Sequence, residues 1–182
     1  LLYTVGFENL PDASAPAQVV AITDQLAPDL DWRSFRLGNI TFGDTVVEVP
    51  ANRAYYTTDV NLTDTLGVVV RVDAGINIVT GVVEWSLTAL DLNTGEPPED
   101  ALLGLLPPND PATHSGEGHV TFTIRPRPDL PTGTEIINSA TIIFDINEPI
   151  ETNEVFNTID AVAPGSRVTG PSGEVPGPIL EV

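Results

Sequence analysis

Short runs of Val, Ile, Thr, Tyr and Phe recur along this chain, separated by clusters of Gly, Pro, Asn and Asp. That punctuation is the signature of β-strands and turns. Several runs alternate cleanly. Val83, Trp85, Leu87 and Ala89 fall on one face and Glu84, Ser86 and Thr88 on the other; Val120, Phe122 and Ile124 oppose Thr121, Thr123 and Arg125. A period of two gives one dry face and one wet face, as in a packed antiparallel sheet. Strands are predicted at 2–7, 18–23, 35–42, 45–49, 55–62, 66–72, 79–90, 119–125, 135–146 and 154–159. No segment beyond two turns carries a helical period; residues 31–35 read as a single helical turn capped by Asp31. The expected class is all-β. About ten strands make a two-sheet Greek-key sandwich, with a closed barrel as the alternative, and Trp85 and Phe144 are expected in the core.

Two stretches interrupt the pattern. Residues 91–118, DLNTGEPPEDALLGLLPPNDPATHSGEG, are long for a connection and are expected to pack down through Leu102, Leu103, Leu105 and Leu106. From residue 163 onward Gly and Pro dominate, which divides the chain into a sandwich domain, 1–162, and an extended linker or tail, 163–182. The tail ends in PGPILEV. An apolar strand on a tether can add to another copy's sheet edge, which makes Ile179, Leu180 and Val182 candidate assembly residues in a head-to-tail polymer, against a plain linker as the simpler reading. The first residue is Leu1, already in a strand-like run, so the chain is expected to be a mature product or part of something longer.

Charge narrows the partners. Twenty-six acidic residues face seven basic ones, for a net charge of −19. All the basic residues are Arg. Nucleic acid and anionic membrane surfaces require the opposite balance, and no apolar run approaches the roughly 18 residues of a membrane span. With no Cys and no Met, disulfides, thiol chemistry and Cys-based zinc sites are excluded, which suits an extracellular, secreted or cell-surface setting. The absence of Lys rules out a Schiff base.

Self-repulsion at this charge points to divalent cations, and calcium takes oxygen ligands from loops. One candidate set is Asp145, Asn147, Glu148 and Asn153, with Glu8 and Asn9 expected nearby; Asp145 and Asn147 share a face if the strand continues. Another is Asp91, Asn93, Glu96 and Asp100, although DLNTG departs from the EF-hand spacing because Gly95 falls one place early. Turn-forming Asn and Asp are the simpler reading of both stretches. His114, Glu117 and His119 lack zincin spacing, and no G-x-S-x-G elbow is present. Trp32, Trp85, Tyr55 and Tyr56 are the aromatics available for sugar stacking. Of these, Trp32 is the surface candidate, and Tyr55 and Tyr56 point to opposite faces.

Three stretches, YTVGFENLPDASAPAQVVAITDQLAPDLDWRSF, DLNTGEPPEDALLGLLPPND with GEGHVTFTIRPRPDLPTGTEI, and ATIIFDINEPIETNEVFNTID, resemble the conserved-repeat, immunoglobulin-like domain of large bacterial secreted and cell-surface proteins. The resemblance runs from Tyr3 to Asp160 and implies a β-sandwich strung in series or beside other modules, with no catalytic residues to carry over. The sequence therefore reads as a non-catalytic structural module: a spacer, adhesin or fibre building block that takes neighbouring copies or domains as partners and calcium as a candidate stabiliser. The alternative is a carbohydrate-binding accessory domain that takes surface glycans.

Overall fold

The computed structural model describes residues 1–163 and 165. Ile179, Leu180 and Val182 lie outside the described residues. Twelve strands and no helix are found among the described residues. A four-stranded sheet has the order β1 (Leu2–Glu8), β8 (Glu117–Pro126), β3 (Leu30–Phe42), β4 (Thr45–Val47). A six-stranded sheet has the order β11 (Ile150–Glu151), β10 (Ala140–Phe144), β2 (Val19–Gln25), β7 (Val82–Leu90), β6 (Val68–Asn77), β5 (Tyr55–Leu62). A ribbon of β9 (Glu135–Asn138) and β12 (Val155–Thr158) completes the fold, and every pairing is antiparallel.

The inner faces of the two large sheets form one core, so the architecture is the expected sandwich. Phe35 on β3 and Phe122 on β8 meet Trp85 on β7 at ring-centroid distances of 6.5 and 5.7 Å, and Phe7 on β1 meets Phe144 on β10 at 6.5 Å. Trp85 and Phe144 are both buried, as their alternation requires. Such aromatic pairs add about 0.5–1.5 kcal/mol each beyond the area they bury.

Three local expectations change. Residues 31–35 are not helical; they belong to β3, where the register against β8 shifts between Asp31 and Arg36. Asp31 Oδ1 accepts from Arg33 N, and Ser34 Oγ donates to Asp31 O while accepting from Arg125 N, so side chains satisfy a bulge that mimics a turn. The run 135–146 breaks at Ser139 into β9 and β10 and stops at Phe144. Residues 79–81 form a turn rather than the start of β7, with Gly81 at φ +75° against the Trp32 indole; any side chain there would overlap the ring.

The long 91–118 connection packs as expected through Leu105 and Leu106, which are fully buried, and partly through Leu103, whereas Leu102 is exposed. Gln18 Nε2 donates to the carbonyls of Pro98, Asp100 and Leu103 and pins the connection to the start of β2.

Candidate functional site

Register assigns every connection to one of two ends. β1 runs from Leu2, opposite Thr123, to Glu8, opposite Glu117, and β3 runs from Leu30 to Phe42 against the same strand. The end holding Glu8, Phe42 and Glu117 therefore carries the β1–β2, β3–β4, β5–β6, β7–β8 and β10–β11 connections. Those connections and the strand ends beside them hold Asp12, Asp44, Asp64, Asp91, Glu96, Glu99, Asp100, Asp110, Asp145 and Glu148, and no Arg. The opposite end holds Arg33 and Arg36 in the β3 bulge and Arg125 and Arg127 at the close of β8. The first and last strands, β1 and β12, begin and finish at this second end: Leu1 donates its amine to Ile124 O, and Thr158 pairs with Glu135 at the start of β9.

At the acidic end, carboxylates are tied to the backbone. Asp145 adopts φ +52° and its Oδ1 accepts from both Gln18 N and Val19 N at 2.8 Å, extending the β10–β2 ladder by one step. Asp91 Oδ1 accepts from Asn93 N and Thr94 N, and these donors hold its carboxyl below the usual carboxylate range. Asp100 and Asp110 close the same kind of turn onto Leu102 N and Ala112 N. Buried Asn109 donates from Nδ2 to Glu8 Oε1 and Glu117 Oε1 and accepts from Gly116 N, while Asn9 Nδ2 donates to the carbonyls of Ala15 and Leu106. Glu117 also takes His114 Nδ1 at 2.6 Å, which raises the imidazole pKa and lowers that of the carboxyl. His119 turns elsewhere, to Thr41 Oγ1, so the two histidines serve separate contacts.

The expected calcium ligands are only partly gathered. Asp145 and Asn147 do not share a strand face, because β10 has already ended and Asn147 N donates to Phe144 O in a turn. Asn153 follows Thr152, which bonds back to Ala140, so it lies a strand's length from Asp145, on the order of 15 Å at 3.3 Å per residue. Glu8 and Asn9 close onto the 106–117 segment instead. Asp91, Glu96 and Asp100 do line one concavity over Pro97 and Leu103, but Asn93 is not part of it. Among the described residues no three His, Asp or Glu side chains form a group that could hold a metal ion.

The basic end is built differently. A cleft of about 780 Å³ is bordered by Arg33, Arg36 and Arg125, and one of about 380 Å³ by Arg33, Arg127, Trp32 and Ile78; Asp31 borders both. Arg36 is fastened through Nη1 to Arg33 O and Phe35 O. The guanidinium groups of Arg33 and Arg125 make no hydrogen bond among the described residues, although Asp31 and Arg125 are register partners. Among the described residues, ion pairs form only at Arg71–Asp59, in the β5–β6 pair, and at His114–Glu117, at the acidic end. Trp32 is half-buried, with Nε1 donating to Ala27 O, and so is a poorer stacking surface than expected.

Residues 104–158 match the sequence model of a domain of unknown function, DUF7619. The match spans β8 to β12 and contains most of the closing ATIIFDINEPIETNEVFNTID stretch. No curated protein matches. Among solved structures, the chain is similar to the C-terminal domain of the Streptococcus pyogenes antigen I/II-family protein AspA, at a TM-score of 0.39 and 16% identity, over 87% of this chain and 38% of that one.

One further polar feature lies between the ends. Asp24 on β2 is fully buried, and its Oδ2 accepts from Asn138 Nδ2 at 2.7 Å. Burial raises the Asp24 carboxyl to about 6, against the opposing pull of Asn138. Asp24 Oδ1 and Asn138 Oδ1 find no donor among the described residues. Protonation turns the carboxyl into a donor beside an amide oxygen that lacks one.

Proposed function

We propose that the chain is a non-catalytic structural module of an extracellular surface protein. The observation that carries this reading is a two-sheet antiparallel sandwich with a net charge of −19, whose long 91–118 connection is fastened to the sheets by Gln18 and Asn109. A closed, well-fastened sandwich of this kind suits display on a surface. The carboxylates at the acidic end hold the long connection in place, and the excess negative charge keeps an exposed domain soluble. Antibody raised against residues 1–162 tests the setting. It should label intact cells of the source; labelling seen only after permeabilisation would overturn the surface assignment.

A second reading, glycan binding, draws on one place. On the outer face of the six-stranded sheet, Tyr55 is exposed and lies over Gly75, beside Glu84, Asp73 and Ser86, in a depression of about 320 Å³. An aromatic ring next to carboxylates and a hydroxyl is the pairing that stacks and hydrogen-bonds a neutral sugar. A glycan array probed with the wild type and Tyr55→Ala decides it: binding that the substitution removes supports the reading, and an empty array ends it.

A further inference from the structure

The two ends of the sandwich differ in charge, and each carries charged side chains without a hydrogen bond among the described residues: Arg33 and Arg125 at one, Glu96 and Glu99 at the other. Register puts Arg33, Arg36, Arg125 and Arg127 at one end and a belt of carboxylates without any Arg at the other. Asp31 borders the arginine clefts, with Asp29 and Asp129 in adjoining turns, so the contrast is between a nearly balanced end with free guanidiniums and a strongly anionic one. Arg33 and Arg125 stand exposed along a cleft that is too open to be a small-molecule cavity and too polar to be a missing piece of core. Exposed guanidiniums facing a rigid anionic surface gain charge-assisted, orientation-fixing contacts that offset their desolvation.

We propose that the Arg33–Arg125 groove is the docking surface for the acidic end of a second copy of this chain. The proposal rests on the structural-module reading and says how such modules meet. The contact is heterologous, groove to tip, so it does not close on itself and extends along the strand axis. The exposed Ile78 and Val79 in the β6–β7 turn supply apolar area beside the guanidiniums. Charge also sets the salt response. Each copy carries −19, so at low ionic strength, where the Debye length is about 30 Å, whole-molecule repulsion keeps copies apart. Near 0.15 M the length falls to about 8 Å, which screens the repulsion but spares direct contacts; at 1 M the contacts are screened too. Association is therefore strongest at intermediate salt.

The experiment is sedimentation of the full chain at millimolar concentration in about 0.01, 0.15 and 1 M NaCl. Growth in mass that peaks at the middle value is expected. Arg33→Glu/Arg125→Glu should weaken association at least about tenfold, and so should Glu96→Arg/Glu99→Arg. Circular dichroism and melting curves check that both variants are folded, as the substituted side chains make no hydrogen bond among the described residues. Mixing the two variants should yield a one-to-one heterodimer, because one supplies an intact acidic end and the other an intact groove. A wild type that is monomeric at every salt overturns the proposal, as does a mixture of folded variants that fails to associate. If the monomeric wild type is instead retained by an immobilised sulfated polysaccharide and the arginine variant is not, the groove serves an anionic glycan. None of these results bears on surface labelling, so failure here leaves the module reading standing.

Discussion

The acidic end and the arginine end use charge for opposite purposes. At the acidic end, carboxylate oxygens accept backbone N–H groups from turns: Asp145 from Gln18 and Val19, Asp91 from Asn93 and Thr94, Asp100 from Leu102. Asn109 bridges Glu8 and Glu117, so two like charges share one donor side chain and repel less. Negative charge there substitutes for the hydrogen bonds a long connection would otherwise lack. At the arginine end, Arg36 caps the β3 bulge and Arg127 Nη1 donates to Pro28 O, while the guanidiniums of Arg33 and Arg125 make no hydrogen bond among the described residues. Charge that folds a loop is spent locally; charge without an internal partner remains for another molecule. Substitutions at the bonded groups of the acidic end, such as Asn109 and Asp145, should therefore cost stability, and those at Arg33 and Arg125 should not.

The largest effect belongs to Asp24, the carboxylate that neither end holds. Its folded pKa of about 6 stands above the ordinary value of 3.8, so between those pH values the folded chain keeps a proton that the unfolded chain has released. Stability contributed by this group is thus full below about pH 4 and falls as pH rises to 6, by about 3 kcal/mol in total. Asp24→Asn keeps a hydrogen-bonding side chain opposite Asn138 and removes the titration. Urea unfolding from pH 4 to 7.5 should show the mutant losing that downward slope and exceeding the wild type at pH 7.5. An unchanged slope would mean that the buried carboxylate is stabilised as an anion.

Next comes Asn109→Ala. Buried Asn109 donates to two carboxylates and accepts from Gly116 N, so its loss leaves Glu8 and Glu117 facing each other and one buried N–H unpaired. The expected cost is about 2–3 kcal/mol by chemical denaturation. A cost below about 0.5 kcal/mol would show that the 91–118 connection is held by Leu105 and Leu106 alone. Asp145→Ala should cost less, about 1–2 kcal/mol, through two lost charge-assisted bonds and a β-carbon held at positive φ. Asp145→Asn keeps both the acceptor and tolerance of that conformation, and should recover more than half of the loss. Equal losses for Ala and Asn would point to the negative charge itself as the essential feature.

Much of the fold was legible because alternation is local. The faces of Val83–Ala89 and Val120–Ile124 follow from residue identity alone and place Trp85 and Phe122 in the core. Alternation misled where it outran its strand: Phe144, Asp145 and Ile146 continue the pattern, yet Ile146 is 99% exposed because the chain has already turned. Asn109 escaped notice since Asn in a connection reads as a turn former, and Asn9 was expected beside Asp145 rather than on Leu106; their long-range partners depend on how β1 lies against the 106–117 segment. The separation of charge was invisible for the same reason. Arg33 and Arg125 are far apart in the chain and become neighbours only through the β3–β8 register. Composition fixed the total charge, and topology decided its distribution.

The smallest expected effects complete the comparison. Arg33→Ala and Arg125→Ala should change stability by no more than about 0.5 kcal/mol, as befits exposed side chains without internal bonds. Calcium should likewise do little beyond its ionic strength, because Asp91, Asp100 and Asp145 already accept backbone N–H groups and no three His, Asp or Glu side chains form a metal-holding group among the described residues. Melting in millimolar calcium should match melting in chelator with sodium chloride added to equal ionic strength, both somewhat above the low-salt value as the repulsion of −19 is screened. A rise specific to calcium would make the acidic end an ion site. Its location follows from two variants. Loss of the rise in Asp100→Asn but not in Asp145→Asn would assign it to the concavity under Asp91 and Glu96, and the reverse would return it to the β10–β11 turn.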